Sequence, residues 1–218
     1  MSSCSRFGGA IILAGGDSSR LGCPKPFLEM DGSSLIELIV YRLSALFKEI
    51  TVVADEQDSF TSLPVRIIGD LITGGNKSPL RGIHAGLSCS NLPYQFVAAC
   101  DMPFINLDLV RYMSAFAPHY DVVVPHIGSY YQPLHAYYHR SCIEPIRRQI
   151  EEGECKVTAF YDKINVRHIG YSEVAPFDPG QRSFFNVNTW DDYQEAQKVL
   201  HEIKGSQLNS ACTWGKEP

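Results

Sequence analysis

The feature that most constrains the fold of this chain is the regular alternation of short apolar runs with amphipathic segments. The first apolar run, 10–14, is followed by apolar residues at helical spacing over 34–47, and further apolar runs lie at 50–54, 65–68 and 94–100. Strands that alternate with helices pair in parallel, because each helix carries the chain back along the sheet. The pattern predicts an α/β fold with a Rossmann-like, mostly parallel sheet and helices on both faces, in three layers.

The rest of the sequence continues this alternation to about residue 203. We expect helices at 82–90, 107–116, 141–152 and 190–203, and strands at 121–125, 134–138 and 165–169. No linker or repeat interrupts the chain, so a single domain over 1–204 is expected. The polar segment 205–218 is expected to be a disordered tail.

Charge and composition exclude several classes of protein. A net charge of -5 argues against a nucleic-acid-binding surface, which needs a basic stripe. No apolar run is long enough to cross a membrane, and the first nine residues lack the parts of a secretion signal. Seven cysteines without a C-x-x-C pair are typical of reduced thiols. We therefore expect a cytoplasmic protein that binds neither nucleic acid nor membrane.

The segment 13–25, with the sequence LAGGDSSRLGCPK, directly follows the first expected strand. Gly15 and Gly16 allow the backbone to approach a ligand closely, and Arg20 and Lys25 add positive charge beside the backbone amides. The order of residues is neither that of a P-loop nor that of the dinucleotide fingerprint. A tight turn with two solvated cations is the alternative interpretation. The spacing of both cations favours a loop that binds a triphosphate.

Asp101 stands at the end of the apolar strand 94–100, at the edge of the sheet where ligands bind in open α/β folds. Mg²⁺ prefers oxygen ligands and needs only one or two carboxylates when phosphates and water complete its shell. Asp101 is therefore the candidate metal ligand. Its alternative role is that of an N-cap for the helix that begins near Leu107, but Pro103 and the separation of six residues disfavour it.

Two further groups of polar residues follow expected strands or extended segments. Asp70 follows the strand at 65–68, where it is either a turn residue or a ligand contact. Asn186 and Asn188 flank Val187, so both amides face the same side of an extended backbone. Two amides on one side suit either a shared ligand or a polar strand edge.

The loop after the first strand resembles the L-A-[GA]-G-x-S-x-R-x-G-x-x-K signature of nucleotidyltransferases that activate sugars, isoprenoid precursors and molybdopterin. The resemblance extends from about residue 9 to 200 and is greatest to the molybdenum cofactor guanylyltransferase family. Four further segments match that family: 68–70 (IGD), 78–82 (SPLRG), 100–103 (CDMP) and 185–189 (FNVNT).

This resemblance implies a Mg²⁺-dependent transfer of GMP from GTP to molybdopterin in its molybdenum-loaded form, with release of pyrophosphate. It implies that proteins of the molybdenum pathway that donate or accept the cofactor are possible partners. The residues fall into four groups: catalytic, Arg20, Lys25 and Asp101; nucleotide-binding, Leu13, Ala14, Gly15, Gly16, Lys25, Asp70, Gly82 and Asp101; acceptor-binding, Asn186, Asn188 and Lys156; metal-binding, Asp101.

The sequence departs from the family at two positions. Ser78 replaces a glycine of the G-P-L-x-G segment, and Ala54-Asp55 stand where the family often has a nucleotide-contacting asparagine. No role is assigned to these residues or to Arg81. His135 is more typical of a packed residue than of a catalytic one, and the tyrosines at 130, 131, 137 and 138 are more typical of core and surface packing than of a pterin site.

Other functions remain open from the sequence. The first alternative is a molybdopterin cytidylyltransferase or a sugar-phosphate nucleotidyltransferase. Relatives that use a pyrimidine usually have alanine at the position of Gly15, and a glycine leaves space for a purine, whose edge main-chain groups around Leu13–Gly15 could read. The second alternative is a nucleotide-binding regulatory protein without chemistry, but such a protein needs neither Lys25 nor Asp101.

Overall fold

The computed structural model describes residues 8–15, 22–74 and 77–212, with the backbone alone for 204–212. In chain order the strands are β1 (Gly9–Leu13), β2 (Glu29–Met30), β3 (Ser33–Ser34), β4 (Ile50–Val53), β5 (Arg66–Ile68), β6 (Tyr94–Ala99), β7 (Val122–Ile127), β8 (Tyr130–Tyr131), β9 (His135–His139) and β10 (Val166–Ile169). β2 and β3 form a separate hairpin. The other eight form one sheet in the order β10-β7-β9-β6-β1-β4-β5, with β8 paired to β7.

Most neighbouring strands of this sheet are parallel. β9 runs antiparallel to both β6 and β7, and β8 runs antiparallel to β7. β1 lies between β4 and β6 and is parallel to both, and β5 is parallel to β4. The carboxyl ends of β1, β4, β5 and β6 therefore meet at one edge of the sheet, which we call the carboxyl edge.

The helices are α1 (Leu35–Ser44), α2 (Pro79–Ser88), α3 (Leu107–Ser114), α4 (Ile143–Glu151), α5 (Tyr171–Val174) and α6 (Trp190–Cys212). Buried side chains of α1, α3 and α5 share one core cluster with one face of the sheet. Those of α2 and α4 share a second cluster with the other face. The three-layer α/β fold with a mostly parallel sheet is thus confirmed.

β1 shows why the sheet needs helices on both faces. Its side chains alternate between the two layers: Ala10 and Ile12 belong to the first cluster, and Ile11 and Leu13 to the second. All four are buried. A strand that is apolar on both sides is stable only when both sides are covered, as in other parallel sheets.

The elements agree with the expected ones to within a few residues at most boundaries. α1 begins as expected after Ser34, whose hydroxyl accepts a hydrogen bond from the Glu37 amide, while the Glu37 carboxylate accepts one from the Ser34 amide. α2 starts at Pro79, three residues before its expected start, because proline suits the first turn of a helix. The β2–β3 hairpin, β8 and α5 were not expected.

α6 differs from expectation at its end. The helix was expected to stop at Ile203, but its backbone is helical to Cys212, which lies within the segment expected to be a tail. Residues 213–218 lie outside the described residues. Among the helices of the described chain, none combines the length and apolarity that a membrane crossing requires.

Candidate active site

The candidate site lies at the carboxyl edge, where backbone hydrogen bonds hold the residues that follow four strands. The Ala14 amide donates to the Val53 carbonyl, the Ala54 amide to Ile68, and the Cys100 amide to Leu13, each at 2.9–3.0 Å. These bonds fix the first residues beyond β1, β4, β5 and β6 relative to one another. Gly15, Asp55, Asp70 and Asp101 therefore lie at the same edge of the sheet.

Three partly buried residues from distant parts of the sequence form a cluster at this edge. The ammonium group of Lys25 donates to Asp101 Oδ2 at 3.0 Å and to Asn188 Oδ1 at 2.5 Å. The side chains of Lys25 and Asp101 are only 18% and 15% exposed. We call Lys25, Asp101 and Asn188 the buried cluster; the structure brings together a predicted catalytic cation, the predicted metal carboxylate and a predicted acceptor contact.

A backbone hydrogen bond fixes the position of Asp101, which does not cap a helix. Its carbonyl accepts the Val187 amide at 2.9 Å, which ties the end of β6 to the 185–189 segment. α3 is capped by Asn106, whose side chain accepts the amides of Asp108 and Leu109. The N-cap interpretation of Asp101 is therefore wrong. Asp101 Oδ1 is buried and has no hydrogen-bond partner within the described part of the chain.

The start of α6 positions the asparagine segment. The Asp192 carboxylate accepts the amides of Asn188 and Thr189, and the Thr189 hydroxyl accepts the Asp192 amide. Burial raises the pKa of Asp192, but these hydrogen bonds outweigh it and lower the pKa on balance. Asn186 behaves differently, because its amide group donates to the Phe184 carbonyl at 2.9 Å. The structure thus brings Asn188, but not the amide of Asn186, into contact with Lys25.

The two predicted glycine contacts differ in what surrounds them. A Cβ atom added to Gly15 would lie 4.0 Å from Asp55 Oδ2, so the described residues leave this side of Gly15 open. A Cβ atom added to Gly82 would lie only 2.8 Å from Leu13 Cδ2. Gly82 therefore lets α2 pack closely on β1, which gives it a structural role whether or not it contacts a nucleotide.

α2 also places Arg81 near Asp70. The Arg81 side chain is buried, with 6% exposure, and its Nε atom has no hydrogen-bond partner in the described structure. Burial raises the pKa of Asp70, and Asp55 raises it further, while Arg81 and Lys77 lower it. Asp70 thus lies in a field set by Asp55, Arg81 and Lys77, none of which the sequence had assigned to the site.

A second ion pair at the same edge was missed from the sequence. Lys77 donates to Asp55 Oδ2 at 2.7 Å, and the two side chains are 79% and 46% exposed. This hydrogen bond is the main cause that raises the pKa of Lys77. We call Asp55 and Lys77 the exposed pair. The signal that could have revealed it is the departure from the family pattern at Ala54-Asp55.

The remaining predicted residues have simpler outcomes. Gly16 and Arg20 lie outside the described residues. Lys156 is exposed, and its backbone makes local hydrogen bonds with Glu154 and Gln149. Among the described residues, no group of three or more histidine, cysteine or acidic side chains could hold a metal ion. A single carboxylate completed by phosphate oxygens and water is the coordination that Mg²⁺ often takes with a phosphate substrate.

His135 is a core residue, as expected. It is fully buried, and its ring packs edge-on against Phe96 and Phe184. Burial lowers its pKa to about 3, although Asp178 acts in the opposite direction, so the ring is neutral at physiological pH. Tyr137 and Tyr138 are likewise buried in the two cores.

Comparison with known proteins identifies relatives over most of the chain. The sequence model of the MobA-like NTP transferase domain matches residues 10–165. A probable molybdenum cofactor guanylyltransferase from Pelotomaculum thermopropionicum is 37% identical over 198 residues, which cover 91% of this chain and 96% of that protein. A probable enzyme of the same name from Peptoclostridium acidaminophilum is 34% identical over 205 residues, which cover 91% and 92%.

A solved structure supports the same assignment. The molybdopterin-guanine dinucleotide biosynthesis protein A from Archaeoglobus fulgidus superposes with a TM-score of 0.78 at 27% identity, covering 89% of this chain and 99% of that one. The Rossmann-like sheet and the lysine–aspartate contact at its carboxyl edge fit a nucleotidyltransferase, and the relatives show that this chain is such an enzyme. It belongs to the MobA-like NTP transferase family. The family resemblance and the enzyme class predicted from the sequence are confirmed.

Proposed function

We propose that this enzyme transfers GMP from GTP to the molybdenum cofactor, forming the guanine dinucleotide cofactor and pyrophosphate. The observation that carries the proposal is the buried cluster, in which Lys25 contacts Asp101 and Asn188 at the carboxyl edge of the sheet. The names of its relatives support guanylyl transfer over the cytidylyl and sugar-phosphate alternatives.

The reaction joins two phosphates. A phosphate oxygen of molybdopterin attacks the α-phosphorus of GTP, and the bond from that phosphorus to the bridging oxygen of the β-phosphate breaks. Pyrophosphate leaves with the electron pair of that bond, and the new bond completes a diphosphate. Such a transfer needs positioning and charge neutralisation rather than a covalent enzyme intermediate.

Lys25 and Arg20 are proposed to neutralise the phosphates. Lys25 is held by two oxygen atoms in a partly buried position, where a charge acts more strongly than in water. Its ammonium group would stabilise the charge that develops on the α-phosphate and on the leaving pyrophosphate. Arg20 is assigned the same task on the basis of its place in the sequence motif.

Asp101 fits the Mg²⁺ ion that the proposal requires. Its Oδ1 atom is a buried carboxylate oxygen without a partner, and such an atom is costly unless a cation or a donor contacts it. A bound Mg²⁺ would supply charge neutralisation between the reacting phosphates. Asp101 would hold it through Oδ1 while Oδ2 keeps Lys25 in place.

The remaining assignments divide the edge between the two substrates. We assign Leu13, Ala14, Gly15, Gly16, Asp70 and Gly82 to GTP, and Asn186, Asn188 and Lys156 to the molybdopterin acceptor. One domain over 1–204 would carry both substrates. We also propose that the enzyme works in the cytoplasm with proteins that supply or receive the cofactor.

The test is a nucleotide screen for pyrophosphate release in the presence of molybdopterin. We expect Mg²⁺-dependent release with GTP and much less with CTP, ATP or UTP. Turnover with CTP above that with GTP would contradict the proposed function. Calorimetry with GTP, with and without Mg²⁺, separates binding from turnover, and binding without any pyrophosphate release would favour the regulatory alternative.

A further inference from the structure

The exposed pair borders the open side of Gly15. Asp55 Oδ2 is 4.0 Å from the position of a Cβ atom on Gly15, and no other atom of the described chain outside the adjacent residues lies within that distance. Gly15 is also the residue whose lack of a side chain is proposed to admit a purine. Among the described residues, the group that borders this space is therefore a carboxylate, which can accept hydrogen bonds from a base.

Lys77 adds a donor beside this acceptor. Its ammonium group contacts Asp55 Oδ2, and Asp55 Oδ1 has no hydrogen bond with any described residue. The pair thus presents one cationic donor next to two carboxylate oxygens. Lys77 is 79% exposed, so its flexible side chain can shift from Asp55 towards a ligand at little cost.

We propose that Asp55 and Lys77 select guanine, with Asp55 accepting hydrogen bonds from N1–H and N2–H and Lys77 donating one to O6. This inference rests on the proposed use of GTP and identifies the side chains that read its base. It adds charged side chains to the main-chain contacts with the base that are expected around Leu13–Gly15.

The order of donors and acceptors explains why other bases are rejected. The edge of guanine presents the O6 acceptor and then two donors, which complements a cation followed by two carboxylate oxygens. Adenine and cytosine instead present an amino donor followed by a ring-nitrogen acceptor. With these bases the carboxylate of Asp55 would face a lone pair, and Lys77 would face an amino group, so both contacts would be repulsive. Selection against a base by repulsion is as effective as selection by attraction.

The charged side chains near the exposed pair compensate one another. Burial raises the pKa of Asp70, and the charge of Asp55 raises it further. Arg81 and Lys77 act on Asp70 in the opposite direction. The two carboxylates are therefore matched by two cations, and Arg81, which is buried with an unpartnered Nε, faces this region from α2. A neutral base can enter without leaving a net charge to be compensated.

The experiment measures dissociation constants of the full-length protein by calorimetry in Mg²⁺, with GTP, ITP, XTP and CTP. Xanthine carries a carbonyl where guanine carries its 2-amino group. In Asp55→Asn one acceptor becomes a donor, so the side chain would pair with N1–H and the C2 carbonyl of xanthine. We expect Asp55→Asn to weaken the binding of GTP by about tenfold to a hundredfold and to strengthen the binding of XTP, so that the variant prefers XTP over GTP. Wild type should bind ITP about tenfold more weakly than GTP.

Two further variants control this experiment. Asp58→Asn makes the same change at an exposed aspartate three residues away and should leave every dissociation constant unchanged. Lys77→Met removes the group that donates to O6. Because guanine and xanthine both carry O6, the variant should bind GTP and XTP more weakly by the same factor.

The outcomes separate this inference from the proposed function. A wild type that prefers GTP, combined with an Asp55→Asn variant whose GTP-to-XTP ratio is unchanged, overturns the assignment of Asp55 and leaves guanylyl transfer standing. A wild type that binds CTP more tightly than GTP overturns the proposed function itself. A reversed preference in Asp55→Asn supports both.

Discussion

The buried cluster and the exposed pair are both lysine–aspartate contacts at the same edge of the sheet, yet they differ in what they can do. In the buried cluster the two charged side chains are less than one fifth exposed, and Asn188 gives Lys25 a second oxygen. In the exposed pair Lys77 is mostly in water, and within the described part of the chain it forms an ion pair with Asp55 alone.

Physical chemistry assigns different tasks to the two contacts. An exposed ion pair contributes about 0–1 kcal/mol, because water screens the attraction and side-chain entropy is lost. Such a pair can rearrange around a ligand and distinguish one ligand from another. Partly buried charges interact more strongly and are costly to leave unpaired, so they are suited to a fixed catalytic geometry. We therefore expect the buried cluster to set the rate and the exposed pair to set the choice of base.

The largest effect should come from Asp101→Asn. The variant keeps the shape of the side chain but removes the charge that would hold Mg²⁺, so turnover should fall on the order of 10³-fold. The measurement is kcat for pyrophosphate release from GTP and molybdopterin at saturating Mg²⁺, together with the Tm.

Asp108→Asn is the matched control, since Asp108 is exposed at the start of α3 and should retain full activity. A folded Asp101→Asn protein with near-normal turnover would remove Asp101 from the metal role and would make the buried cluster a structural contact.

Lys25→Ala should have the next largest effect. Loss of one donor to a developing charge typically lowers kcat by about 10²–10³-fold, and the ammonium of Lys25 is proposed to act mainly as pyrophosphate leaves. Steady-state kinetics should show a change mostly in kcat. Lys198→Ala, an exposed lysine on α6, is the control. If only KM rises, Lys25 binds substrate and transition state equally and the cluster does not set the rate.

Gly15→Ala tests the other half of the comparison. Among the described residues outside its chain neighbours, the added methyl group meets nothing closer than Asp55 Oδ2 at 4.0 Å, so we expect no change in the Tm. It would fill the space proposed for guanine, and kcat/KM for GTP should fall by about tenfold to two-hundredfold, with a narrower lead over CTP.

Gly170→Ala is a suitable control for that variant, because a Cβ atom there meets no described residue outside its chain neighbours within 4 Å and its φ of -78° suits any residue. An unchanged GTP-to-CTP ratio in Gly15→Ala would show that neither Gly15 nor the neighbouring exposed pair faces the base.

The sequence predicted one half of this comparison better than the other. The fold follows from apolar periodicity, and Lys25 and Asp101 follow from a motif and from a strand end. The contact of Lys25 with Asn188, 163 residues away, depends on how α6 and β6 fix the 185–189 segment. The exposed pair joins two loops, and such contacts leave no periodic signal in a sequence.

The β2–β3 hairpin was missed for another reason. Asp31 and Gly32 form its two-residue turn with φ values of 59° and 78°, and Asp-Gly is a strong hairpin signal. The strands on either side have only two residues each, too few for alternation to be recognised. Met30 is nonetheless fully buried and packs in the cluster that joins the hairpin to α6. Its burial is a tertiary effect that no local pattern contains.

The smallest effect should come from Asn188→Ala, and it tests whether the buried cluster needs its third member. Lys25 would keep Asp101 as a partner but lose the oxygen at 2.5 Å that fixes the direction of its ammonium group. One hydrogen bond to a charged group suggests a fall in kcat of about tenfold. Asn91→Ala is the control, since Asn91 is exposed beside the start of β6, at the opposite edge of the sheet. If kcat stays at the wild-type value while KM for molybdopterin rises, Asn188 serves the acceptor alone, and the rate depends on the Lys25–Asp101 contact without it.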